Sequence, residues 1–351
     1  MKKILLAVLM ASMVVLTACS GEKSSTKETP QKENEENQHK VVYIIQGGKL
    51  GDQAENDAVW SGVQKYAEET GIECAAFELA ELQDFESTAR SYCDKGFDLI
   101  ICTNTVEEFV EGIAQDYPEA CFVVKEGKLE TDLDNILNVR TKIQEAGFVS
   151  GAFAALFNKE LTGKAETAFI GGVRNPDLDR ARYGFAAGAK YVGGNSTDLF
   201  VGSFTDAAKA KELATQLYSD DVRIMQAWSG GANTGIFEAA KNMGENYYAM
   251  GGATGQFHMS EKIVASQVKN SDVTYYNVCT NVYNNEWEAG TLLLGLEENA
   301  VGIKYAPDGR DAVIPQEIKD RVEELKEKVI SGEIIPPSTE EEYNEFLQEI
   351  Q

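Results

Sequence analysis

The sequence predicts an α/β protein of two Rossmann-like lobes, each built on a parallel sheet. Three observations lead there. Short apolar, β-branched runs alternate with helical patterns of about 10–15 residues, the signature of right-handed βαβ units. The alternation runs through two successive series of similar length. Glycine pairs also follow several of the apolar runs directly: Gly47-Gly48, Gly171-Gly172, Gly230-Gly231 and Gly251-Gly252. In open parallel sheets, ligands bind outside the carboxyl ends of strands, where backbone must approach them closely. A tight turn also uses glycine, so any one pair is weak evidence and the repeated placement carries the argument.

The first series opens with a strand at 41–45, Val-Val-Tyr-Ile-Ile. A helix at 57–70 follows, with Gly71 placed to cap it in the left-handed conformation. Strands at 74–79, 97–102 and 121–124 then alternate with helices at 84–95 and 106–116. The second series starts with a helix at 144–158. It continues through strands at 167–171, 197–202, 223–227 and 247–251, with helices at 176–191, 206–218 and 234–242. The tail adds a strand at 262–268, a helix at 272–294, an extended segment near 302–305 and a charged amphipathic helix at 316–331. These late elements leave no room for a third domain, so they are expected to cross back between the lobes. The resulting division is 40–141 with 270–300 for one lobe and 142–269 with 301–345 for the other.

The N-terminus sets the compartment. Met1-Lys2-Lys3 precedes an apolar run at 4–16, and Leu16-Thr17-Ala18-Cys19 ends it. That run is shorter than the roughly 20 residues of a membrane span and has the layout of an export signal. The terminal four residues resemble a bacterial lipobox, which implies cleavage after residue 18 and diacylation of Cys19, with two acyl chains for stable anchoring. A plain signal peptide with an incidental cysteine is the alternative. Residues 19–39 hold polar residues and no large apolar one, a composition suited to a tether.

Composition excludes several classes. With 57 acidic against 32 basic residues and a formal net charge of −25, the chain is ill suited to nucleic-acid phosphates or to an anionic bilayer surface. Cys74, Cys93, Cys102, Cys121 and Cys279 remain beyond Cys19, an odd count for a disulfide framework. Cys102 and Cys121 fall in apolar strands and read as core. His39 and His258 are the two histidines, too few for a histidine-based metal site or triad. No GxSxG, P-loop, HExxH or post-strand GxGxxG pattern occurs. No cofactor, metal or catalytic group is expected.

A set of ordered motifs narrows the class. Gly51-Asp-Gln-Ala-Glu-Asn-Asp-Ala-Val-Trp-Ser-Gly62, Gly96-Phe-Asp-Leu-Ile-Ile101 and Gln144-Glu-Ala-Gly-Phe-Val-Ser-Gly-Ala-Phe-Ala-Ala155 come first. Tyr183-Gly-Phe-Ala-Ala-Gly188, Gly202-Ser-Phe-Thr-Asp206, Gln226-Ala-Trp-Ser-Gly-Gly231 and Gly235-Ile-Phe-Glu-Ala-Ala240 follow. Together they resemble the basic membrane protein family, the PnrA-like substrate-binding lipoproteins of ABC transporters. The resemblance implies a type I periplasmic-binding-protein fold, interlobe crossovers, and hinged closure over a small molecule. It implies purine nucleosides as ligands, with the base between aromatic rings, aspartates on the ribose and a lysine near the hinge.

Position by position, Asn56, Glu126, Phe204, Gly231 and Lys269 fall at or near family pocket positions with suitable chemistry. Three positions depart. Gln46 stands where the family ends its first strand in Asp, Glu55 where it places a stacking Phe, and Gly251-Gly252-Ala253 where it has Gly-Val-Asp. Ala253 cannot accept from two vicinal hydroxyls as a carboxylate does. Trp228, beside Gly230, supplies either a replacement ring wall or core packing. Glu55 either meets a cationic ligand group or is a solvated helix-start residue. Phe204 and Lys269 carry the same duality, as lobe packing and as an exposed hinge lysine. Gly48 is expected to bring backbone close to the ligand.

The function expected is an extracytoplasmic, monomeric solute-binding lipoprotein that delivers a small heterocycle to an ABC permease and its ATPase. A nucleoside or related purine compound is favoured. Alternatives are a cationic heterocycle meeting Glu55, Glu126 and Trp228, a surface receptor that senses without transport, and a nucleoside hydrolase.

Overall fold

The computed structural model describes residues 39–350, so the leader, Cys19 and the tether to residue 38 lie outside the described residues. The first series forms β1 (Lys40–Ile45), α1 (Glu55–Thr70), β2 (Glu73–Glu78), α2 (Phe85–Asp94), β3 (Leu99–Thr103), α3 (Glu107–Asp116), β4 (Cys121–Lys125) and β5 (Ile136–Thr141). The second begins with α4 (Ile143–Thr162), β6 (Glu166–Gly171), α5 (Pro176–Tyr191), β7 (Asn195–Phe200) and α6 (Ala207–Ser219). It continues with β8 (Ile224–Trp228), α7 (Asn233–Met243), β9 (Tyr248–Gly251) and β10 (Ile263–Lys269). The tail is α8 (Ser271–Tyr283), β11 (Gly290–Leu294), β12 (Val301–Tyr305), α9 (Gln316–Ile330) and α10 (Glu340–Glu349).

Two six-stranded sheets result. The first has the order β11-β5-β4-β3-β1-β2 and is parallel throughout; the second has the order β12-β10-β9-β8-β6-β7. Only β12, antiparallel to β10, breaks the parallel pairing of the second. Central strands are mostly apolar because helices cover both faces, with Gln226 in β8 and Ser266 and Gln267 in β10 as buried polar exceptions. In β1, Val41, Tyr43 and Ile45 enter one core and Val42 and Ile44 the core on the opposite face, all fully buried. Phe169 and the flanking Ala168 and Ile170 divide between the two cores of the second sheet in the same way.

The chain passes between the sheets after β5, after β10 and after β11, which brings α8 and β11 back to the first sheet and β12 to the second. α8 packs on α1, where a Cβ on Gly62 would lie 2.2 Å from the Asp272 carbonyl oxygen. The crossing of α4 and α5 is closer still. A Cβ on Gly151 would stand 1.9 Å from the Phe185 carbonyl oxygen, and one on Gly188 1.8 Å from that of Phe148. Glycine at these helix positions lets the two backbones touch. Gly71 adopts φ 80° and caps α1 through its N–H to the Ala67 carbonyl, as its position predicts.

Several expectations need correction. A strand, β5, occupies 136–141, where none was expected. The helix expected over 272–294 is α8 followed by the separate strand β11. Asn285 at φ 59° and Gly290 at φ 111° turn the chain between them. A terminal helix, α10, covers 340–349 and packs Phe346 against Phe148 and Tyr191. Cys121 is half-buried rather than core. His39, assigned to the tether, bonds Asp98 at 2.5 Å and lies on the Tyr283 ring. All five described cysteines are free thiols.

Candidate functional site

Strand ends from both sheets converge on one cavity of about 600 Å³. Its wall draws on the segments after β1, β3 and β4 in the first sheet and on those after β8, β9 and β10 in the second. Every residue singled out in the sequence lies on this wall: Gln46, Gly48, Glu55, Asn56, Glu126, Phe204, Trp228, Gly230, Gly231, Ala253 and Lys269. Lys125, Thr141, Asp177, Arg180, Asn233 and Gln256 join them and were not anticipated. The loop residues Phe257 and His258 do not line the cavity, and Phe257 packs its ring against Gly255.

At the end near the chain crossings, charge is concentrated. The Lys269 ammonium donates to Glu126 at 2.8 Å and to Glu55 at 2.9 Å, while Lys125 stands 3.6 Å from Glu55. Arg180, from the first turns of α5, reaches across to Glu126 at 2.8 Å, to Asp177 at 3.0 Å and to the Thr141 carbonyl at 2.6 Å. Thr141 donates its hydroxyl to Glu126 at 2.6 Å, and Ser271 donates to both oxygens of Glu55 at 3.0 Å.

Burial alone would raise both carboxyls. For Glu126 the ammonium of Lys269, the guanidinium of Arg180 and the bonds from Lys269 and Thr141 outweigh it and hold the group far below the usual carboxylate range. Glu55 is likewise lowered, burial being overcome by Lys269 and Lys125. Burial works against the charge on Lys269, but Glu126 and Glu55 prevail and raise it above the ordinary lysine value. All three stay ionised at neutral pH.

Two aromatic side chains, Trp228 and Phe204, line the same cavity. The Trp228 ring closes β8 and lies against Gly252, where a Cβ would be 3.3 Å from the ring. Phe204 is 42% exposed and covers Gly172, with room only for hydrogen there, since a Cβ would come within 2.3 Å of its ring. Gly230 and Gly231 pass beside the Phe204 backbone, whose carbonyl accepts from Ala232 at 3.0 Å. Trp228 is half-buried and partly packed on Phe169, so wall and packing roles coincide in it.

The remaining polar wall is tightly bonded within itself. Asn56 accepts from the Tyr43 hydroxyl at 2.8 Å and donates to Asp52 at 2.8 Å. Gln256 accepts from Asn233 and the Gly252 N–H, and donates to the Gln53 carbonyl of the first-sheet lobe at 3.1 Å. Gln53, Glu126, Ala253 and Gln256 all have φ between 51° and 54°, a conformation that is unfavourable for non-glycine residues and that concentrates at functional sites. Among the described residues no group of His, Cys, Asp and Glu could hold a metal ion, and no helix is long and apolar enough to cross a membrane.

Comparison with known proteins places this geometry. The family model described as ABC transporter substrate-binding protein, PnrA-like, matches residues 39–340. Basic membrane protein A of Borreliella burgdorferi is 30% identical over 99% of both chains. A CD4+ T-cell-stimulating antigen of Listeria innocua is 25% identical, covering 95% of this chain and 97% of that one. Among solved structures, an ABC transporter system solute-binding protein from Aeropyrum pernix superposes with a TM-score of 0.76 at 24% identity, covering 89% of this chain and 97% of its own. The two-lobe, type I periplasmic-binding fold expected from the motifs is therefore the fold of this chain.

Proposed function

This chain belongs to the PnrA-like family of ABC transporter substrate-binding proteins, and on that premise we propose that it captures a heterocyclic solute between its lobes and releases it unchanged to a permease. The observation that carries this reading is the presence, on the wall of one cavity, of the aromatic side chains Trp228 and Phe204 together with a polar cluster around Lys269. A planar ring suits the first and an oxygen-rich substituent the second. Nucleosides and related purine compounds fit that division and remain the favoured class. We further propose that Cys19 carries the lipid that holds a monomer on the outer face of the cell membrane.

The reading of Glu55 and Glu126 as partners for a cationic ligand has less support, because both carboxylates are already paired with Lys269, Lys125 and Arg180. A hydrolase reading gains nothing from a wall whose carboxylates are tied up in this way.

A thermal-shift screen over nucleosides, nucleobases, amine heterocycles and simple sugars tests the proposal. Binding stabilises the native state by RT ln(1 + [L]/Kd), about 2.7 kcal/mol at a hundredfold excess over Kd. Stabilisation by ring compounds is expected. Stabilisation by sugars alone, or release of a free base from a nucleoside, would contradict it.

A further inference from the structure

We propose that Gln256 fastens the two lobes over a captured solute, one side-chain amide joining the loop against the Trp228 ring to the opposite lobe. The inference rests on the capture reading above and adds the residue that governs how long a solute is held.

Gln256 lies in the loop between β9 and β10, lines the cavity and is only 5% exposed. Its Oε1 accepts from the Asn233 amide at 3.1 Å and from the Gly252 N–H at 3.0 Å, both within its own lobe. Its Nε2 donates at 3.1 Å to the main-chain carbonyl of Gln53, in the loop between β1 and α1 of the other lobe. The oxygen therefore anchors the side chain, and the nitrogen reaches across. Lys269 and Ser271, by contrast, make their interlobe bonds at the crossing after β10. Gln53 and Gln256 are 203 residues apart and neither loop carries the chain between the sheets, so connectivity does not bring them together.

Both partners are held ready for this contact. Asp57 takes the Gly51 and Gln53 N–H groups at 2.7 and 2.8 Å, and Asp52 takes that of Ala54 at 2.8 Å, which fixes the loop presenting the Gln53 carbonyl. On the other side, Gly255 donates to the Gly252 carbonyl at 3.0 Å and accepts from the Ser266 hydroxyl, while the Ala253 carbonyl accepts from the Lys269 N–H at 2.9 Å. Gln53 and Gln256 adopt φ of 51° and 52°, which non-glycine residues keep when their surroundings enforce it. Gly252, held by the Gln256 oxygen, is also the residue against which the Trp228 ring lies. One side chain thus secures the backbone at the aromatic wall and bonds the opposite lobe. A net amide-to-carbonyl bond shifts a two-state equilibrium roughly two- to tenfold, a scale suited to a fastener that must reopen. A solute leaves only when the lobes part, so the bond acts on release rather than on entry.

The test compares Gln256→Glu, Gln256→Met and Gln53→Ala with the wild type, as intact mature protein at pH 7. Glutamate keeps an acceptor for Asn233 and Gly252 but turns an oxygen, not an N–H, toward the Gln53 carbonyl. Methionine is the uncharged check, and Gln53→Ala removes a side chain while leaving the carbonyl in place. Small-angle X-ray scattering with no solute added should give a larger radius of gyration for both Gln256 variants and an unchanged one for Gln53→Ala. With inosine as probe, stopped-flow fluorescence should show release from Gln256→Glu roughly two- to tenfold faster, with association within about twofold of wild type. Radii equal to wild type in both Gln256 variants overturn the inference. Slower association with unchanged release overturns it too, because that is the mark of a residue that shapes the wall alone. If the wild type does not bind inosine, the nucleoside preference falls, and the scattering comparison still decides the role of Gln256.

Discussion

The ammonium of Lys269, at the end of a strand in the second sheet, lies 2.8 Å from the carboxylate of Glu126, which follows a strand in the first. Both side chains are largely buried, at 14% and 8% exposure. The pair therefore joins the lobes at the chain crossing, in surroundings where breaking one partner is costly. Lys269→Met should lower the unfolding free energy by about 3–5 kcal/mol, because it leaves two carboxylates without their shared cation. Chemical denaturation measures this; a loss within error of zero would show the pair to be incidental.

The same cluster fixes a pH dependence. Glu126 and Glu55 have folded pKa values below their unfolded ones, so their stabilisation is present above the ordinary carboxylate range and is lost as the pH falls through the depressed values. Lys269 is raised, so its contribution is present below the ordinary lysine value and is lost only as the pH rises above it. The cluster should therefore contribute a constant stability between about pH 5 and pH 9. Glu126→Gln should flatten the acid limb of the melting-temperature profile. An unchanged acid limb in that variant would contradict the assignment.

The two aromatic wall residues make a separable prediction. Phe204 is 42% exposed, so Phe204→Ala should change the stability of the free protein by only about 1 kcal/mol while abolishing ligand-induced stabilisation. Trp228→Ala should remove ligand stabilisation too, with a larger loss in the free protein because its ring also packs near Phe169. Thermal melts with and without ligand separate the two effects.

At the α4–α5 crossing, Gly151→Ala should cost about 1–3 kcal/mol or more, since the added methyl group meets backbone that cannot swing aside. The measurement is again chemical denaturation, with ligand affinity expected to persist in whatever protein folds.

Ala253 offers a gain-of-function test. Its φ of 51° is one that aspartate tolerates better than most residues, so Ala253→Asp can be accommodated. The variant should raise affinity for ribosides relative to the wild type in calorimetry. Unchanged riboside affinity would count against the importance of the lost carboxylate.

Much of this architecture was legible because the parallel strands are short and apolar and their helices periodic. β5 escaped because Asn138 and Arg140 interrupt its apolar run; Asn138 spends its amide on the Leu129 and Gly290 carbonyls instead. α8 and β11 merged in the reading because apolar residues continue through 282–294, although Asn284-Asn285 and Gly290 carried the turn signal. At the site, glycine pairs and family-like positions pointed to the right strand ends. Arg180 did not stand out, since Asp177, Asp179 and Arg182 around it look like any solvated helix face. Its selection depends on which side of α5 faces the cavity, which only the packed structure specifies. The glycines of the 144–155 and 183–188 motifs turned out to serve the helix crossing.

Capture without transformation is tested most directly by native mass spectrometry of the mature protein after exposure to a mixture of nucleosides, nucleobases and heterocyclic acids. One bound solute per chain, eluting at its original mass and missing from Phe204→Ala and Trp228→Ala, is the predicted result. An unliganded protein throughout, or a solute recovered as a cleaved or altered product, would contradict the account.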